Sequence, residues 1–168
     1  MPTADSTNSY CTRAEADDYF ASRLHSGAWT GAVNADKEVA LIMATRQIDL
    51  AFEFDGSTTE IGQGLQWPRI GMFGPTGEVI EEDEIPNRLI EATAEMAMAL
   101  LSTDRTLDSD SDALSSLGVG PISISFKQSN TPSRKPIPDI VAELLSLFGT
   151  LKSGKNQTGS CIVPLSRV

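Results

Sequence analysis

"NADKEVALIMATRQIDLAF", Asn34 to Phe52, decides the fold. Asn34 is a good helix N-cap, and the residues after it repeat with helical period. Leu41, Thr45, Ile48 and Phe52 form one stripe, and Val39, Met43 and Leu50 form a second beside it. A helix with two adjoining apolar stripes packs against more than one neighbour, so the chain needs other helices to cover it.

Those helices are legible on both sides. Upstream, "TRAEADDYFASRL" places Thr12 and Glu15 at capping-box spacing and aligns Ala16, Tyr19, Phe20 and Leu24. Between the two lies "HSGAWTGAV", a Gly-marked loop whose Trp29 is expected to plug the core. Downstream, "IPNRLIEATAEMAMALL" begins with Pro86 at the first helical position, where its missing N–H costs nothing. Glu81, Glu82, Asp83 and Glu84 precede it, on the side where the helix dipole favours negative charge. Ala92, Ala94, Ala97 and Ala99 permit close approach of a neighbour. A fourth helix, "PIPDIVAELLSLF", aligns Ile137, Ile140, Val141, Leu144, Phe148 and Leu151. The expected class is mainly α: a small four-helix subunit over residues 1–150, with an extended β element near 118–127 inside an insertion near 105–130.

The β element is "GVGPISISFKQ", where Ile122, Ile124 and Phe126 alternate with Ser123, Ser125 and Lys127. A single strand has no partner among helices. It is expected to pair with an extended piece between Phe73 and Ile80, or across subunits. The end, 151–168, has no helical pattern and reads as an extended tail that orders on a partner.

The chain has 168 residues and a net charge of -10. From Arg134 to Val168 five basic residues stand against Asp139 and Glu143, so the rest is strongly acidic. An acidic body repels phosphates, which argues against nucleic acid as a partner. No apolar run approaches the roughly 20 residues of a membrane span, so no membrane partner is expected. The start, "MPTADSTNSY", lacks the basic and apolar regions of a signal peptide, and a cytoplasmic site of synthesis is expected. Cys11 and Cys161 are too few and too far apart for a disulfide framework or a metal site.

Catalytic signals are weak. "GTLKSGKN" gives Gly149, Gly154 and Lys155 the spacing of a phosphate-binding loop, but Asn156 stands where Mg²⁺ needs Ser or Thr. Asp108, Asp110 and Asp112 have calcium-loop spacing, yet Ala113 and Val119 occupy the Gly and Glu positions. His25 is the only histidine and has no nucleophile motif with it. The reading is no enzyme and no cofactor.

"LQWPRIG", Leu65 to Gly71, stands apart. Trp67 either covers the helical core or, with Arg69, anchors an interface, since both residue types are enriched at hot spots. The candidate partner-binding residues are Trp67, Arg69, Ile122, Ile124, Phe126, Lys152, Lys155, Ile162, Val163, Leu165 and Arg167.

Taken in order, "AEADDYFASRL", "AWTGAVNADKEVALIMATRQID", "LQWPRIG", "IPNRLIEATAEMAMALL" and "GVGPISISF" with its Pro-led helix resemble a phage protein family. Its pattern is similar to the head-tail connectors, or adaptors, of tailed phages, and members often carry a DnaT-like label. The resemblance covers roughly Tyr10 to Phe148. It implies a structural virion protein at the head-tail junction, assembled in the host cytoplasm. It also implies a ring of about twelve copies under a portal protein, receiving a tail or nozzle protein, with double-stranded DNA passing through unbound. The alternative reading is a single-stranded DNA-binding, DnaT-like replication module.

Overall fold

The computed structural model describes residues 3–103, 105 and 135–152, and the backbone of 117–119 and 122–124. The protein is mainly helical with a few short strands. Among the described residues there are five helices: α1 (Arg13–Ala21), α2 (Gly27–Thr30), α3 (Asn34–Ala51), α4 (Asn87–Ser102) and α5 (Asp139–Leu145). Three antiparallel strand pairs join them: β1 (Phe52–Phe54) with β6 (Gly149–Leu151), β2 (Ser57–Thr58) with β3 (Arg69–Ile70), and β4 (Leu117–Val119) with β5 (Ile122–Ile124).

The four expected helices are present, and α2 adds a single turn around Trp29 that the loop reading missed. The capping box forms in full: Thr12 caps the backbone of Glu15, and Glu15 reaches back to the Thr12 N–H. However, α1 ends at Ala21, so Leu24 does not extend its buried stripe and is exposed. The expected caps shift by one residue. Val33 caps α3, with its C=O accepting from Asp36 and Lys37, and Pro86 caps α4.

On α3 the first stripe is the core: Leu41, Thr45 and Ile48 are buried, with Ala40, Ile42 and Ala44 beside them. The flanking stripe stays outside, with Val39 and Leu50 exposed. Across from it, α4 buries Leu89, Met96, Ala92, Ala94 and Ala97, so the small residues do bring two helices together. Each fully buried Leu, Ile or Met contributes about 1.5–3 kcal/mol relative to an exposed one. The short α5 seals the end with Val141 and Leu145.

Two departures concern strands. The segment near 118–127 does not contain a lone strand: β4 and β5 form their own hairpin, pairing Leu117 with Ile124 and Val119 with Ile122. The second departure is β6. Gly149 pairs with Phe54, and a Cβ there would lie 2.3 Å from the Glu53 carbonyl oxygen. Only glycine permits that approach, which brings the end of the chain back to the end of α3.

Candidate functional site

The Trp-Pro-Arg corner is built where α3 runs into β1. Trp67 is 2% exposed and packs edge-to-face on Phe54 and Phe148, with ring centroids 5.9 and 5.4 Å away. Its indole N–H has no partner among the described residues. The Trp67–Pro68 peptide is cis. Arg69 is also buried, and its guanidinium serves as a clamp on backbone carbonyls. Nε donates to Asp55 (2.6 Å), Nη1 to Gln66 (3.0 Å), and Nη2 to Phe54 (3.2 Å) and Gly56 (2.9 Å). The planar fork of arginine is what reaches four carbonyls from one side chain. The corner covers the core: both side chains are buried, and the guanidinium is taken up by backbone carbonyls.

Two further residues complete the corner, and spacing gave no sign of either. Tyr10 Oη donates to Asp49 and accepts from the backbone N–H groups of Gln66 (3.0 Å) and Trp67 (3.2 Å). Burial raises the Tyr10 hydroxyl pKa, and the Asp49 charge raises it further. Burial likewise raises the Asp49 carboxyl, opposed by its bonds to Tyr10 and Gln66 and by the charges of Lys152 and Arg69. These groups hold the loop against α3.

Lys152 closes the site. Its N–H donates to the Ala51 carbonyl (2.7 Å) and its Nζ to the Asp49 carbonyl (3.0 Å). The chain is therefore attached to the core through Lys152, two residues past the end of the body expected at 150. Of the other sequence candidates, Ile122 and Ile124 lie on the β5 backbone. Phe126, Lys155, Ile162, Val163, Leu165 and Arg167 lie outside the described residues, as do Asp108, Asp110, Asp112 and Cys161.

Several charges on the folded body are matched internally, while Arg46 and Arg88 are exposed and in no ion pair among the described residues. Asp17 receives Lys37 (2.9 Å), Arg13 (3.1 Å) and the Trp29 indole N–H (2.8 Å). Arg13 also reaches Glu38 (3.1 Å), and Lys37 stacks 5.0 Å from the Trp29 ring centroid. Buried Glu95 is paired with Arg23 and takes the Tyr19 hydroxyl (2.8 Å), whose pKa is pushed up to about 12 by burial and by Glu95. Lys135 pairs with Asp139 (2.6 Å). Among the described residues no cluster of His, Cys, Asp and Glu could hold a metal ion. No helix there is long and apolar enough to cross a membrane.

What emerges is a mainly helical protein whose body pairs Arg13, Arg23, Lys37 and Lys135 with carboxylates and whose sequence places further basic residues beyond Lys152. Residues 2–167 match the family described as "Putative DnaT-like ssDNA binding protein", and the chain belongs to that family. No curated protein and no solved structure matches it. The family overturns the connector reading drawn from the same motifs. With it fall the portal and the tail or nozzle protein as partners, the twelve-copy ring, and a channel for unbound double-stranded DNA. The motif order was that of a DnaT-like family. The connector assignment rested on the resemblance, with no residue in the chain specific to a portal.

Proposed function

We propose that this protein binds single-stranded DNA through its basic C-terminal end, as a binding module with no catalytic step. The family match over residues 2–167 carries this reading. The net charge of -10 had argued against DNA, but a net charge is an average. Most cations of the acidic body stand in ion pairs or on carbonyls; Arg46 and Arg88 are exposed and in no ion pair among the described residues. Residues 153–168, beyond Lys152, hold Lys155 and Arg167 and contain no acid. Phosphates would meet these residues, while the acidic body holds the strand off its own surface.

Such an interface is small. Each neutralised phosphate of a single strand contributes a slope of about -0.7 in log K against log salt, so two contacts give about -1.4. Titrating a fluorescent oligothymidylate and a duplex of equal length at several salt concentrations tests the reading. Micromolar binding of the single strand at low salt, weakening with that slope and exceeding duplex binding, supports it. No binding at low salt refutes it.

A further inference from the structure

The hairpin from Met72 to Ile80 has an edge that the helical core does not use. Phe73 and Val79 form its bridge, framed by Gly74 N–H donating to Glu78 C=O (2.8 Å) and Ile80 N–H to Met72 C=O (3.0 Å). In that pattern the N–H and C=O of Val79 turn away from Phe73, and they meet no partner among the described residues. Met72 and Ile80 are buried, whereas Phe73 is 56% and Val79 67% exposed. Two hollows flank Val79 and Ile80. One, of about 330 Å³, reaches Glu84 and Phe148; the other, of about 480 Å³, reaches Glu81, Glu82 and Asp83. The carboxylates of these four acids are in no ion pair among the described residues. An open strand edge, an exposed apolar pair and an acidic rim thus share one place.

The sequence holds one segment of complementary chemistry. Residues 153–168 carry Lys155 and Arg167, no acid, and the apolar Ile162, Val163 and Leu165. They start beside Lys152, four residues after Phe148, which itself lines one hollow. Four extended residues span at most about 14 Å, and the ten from Lys152 to Ile162 about 35 Å, so the reach suffices. Pro164 lacks a donor, which an added edge strand tolerates on its outer side.

We propose that Gly159–Val168 of the same chain docks along the Val79 edge, its backbone pairing with Val79 and its basic residues meeting the acidic rim. Taken with the DNA reading above, on which this clause rests, the groove and the DNA compete for one segment.

Cys161 offers a native probe within the segment. Cys11 does not interfere, since it is buried and burial pushes its thiol pKa up to about 12. In the full chain, Val79→Cys and Glu81→Cys give two positions at the groove. Leu50→Cys is the control: it is exposed and adjoins Asp49, which holds Lys152, so an undocked segment would reach it easily. With oxidised glutathione as oxidant and dilute protein, both groove variants should form an intramolecular disulfide to Cys161 at least ten times faster than the control. Equal rates, or disulfides only between chains, would overturn the docking. Saturating oligothymidylate should slow the reaction. An unchanged rate with DNA bound would uphold the groove and count against the segment as the DNA contact, so the two failures are distinguishable.

Discussion

Arg13, Arg23, Lys37 and Lys135 each face a carboxylate within the folded body, whereas Lys155 and Arg167 lie in a stretch with no acid at all. The two regions have opposite uses for the same residue types. In the body a cation stabilises a buried or half-buried partner, as Arg23 does for Glu95. Past Lys152 the sequence sets no acid beside its cations. Whole-chain charge hides this division, and so does a simple count of basic residues.

If the division is real, changes in the body alter folding and leave DNA affinity intact once the protein is folded. The largest effect is expected from Trp67→Ala. Removing this buried indole from between Phe54 and Phe148 should cost about 3–5 kcal/mol in urea unfolding. A smaller loss would mean that the aromatic cluster closes over the gap.

Arg69→Lys comes next. Lysine keeps the charge but cannot span the carbonyls of Phe54, Asp55, Gly56 and Gln66, so about 3 kcal/mol should be lost through buried acceptors left unpaired. Preservation of full stability would assign the residue an electrostatic role instead. Gly149→Ala places a methyl against the Glu53 carbonyl and should cost about 2 kcal/mol by forcing β6 off β1. Circular dichroism melts give both values, and DNA affinity at 10 °C should stay within two-fold.

The smallest effect is expected from Asp17. Desolvation pushes its carboxyl pKa up, but hydrogen bonds from Lys37 and Trp29 and the nearby charges outweigh it, leaving the group below 3.8. Its ionised form therefore adds stability above pH 3.8, and that stability is lost as pH falls through the lower folded value. The side chain is 36% exposed, so screening reduces the contribution to about 0.5–1 kcal/mol. Asp17→Asn should flatten the stability curve between pH 5 and pH 2 by that amount, and an unchanged curve would remove Asp17 from the account.

Much of the helical frame is legible from local pattern. Thr12 with Glu15, the Leu41–Thr45–Ile48 stripe and the Ala-rich face of α4 each carry their signal within a few residues. Long-range pairings carry no such signal. Phe52–Phe54 meets Gly149–Leu151, and Tyr10 meets Asp49 and Gln66, only after the helices pack. Trp67 and Arg69 were visible as unusual residues, but their identity could not say whether they face inward or outward. Function was harder still. The motif order was found, and the resemblance then attached it to a connector. The charge argument against DNA averaged over two regions that behave differently.

The most direct test of the central claim is anisotropy titration of fluorescent oligothymidylate with the wild-type chain and with a Lys155→Ala, Arg167→Ala double variant, after circular dichroism shows both folded. The division of charge predicts at least ten-fold weaker binding and a salt slope shallower by about 1.4, the share of two phosphate contacts on a single strand. Equal affinity and an unchanged slope would contradict it and place the DNA contact on the body.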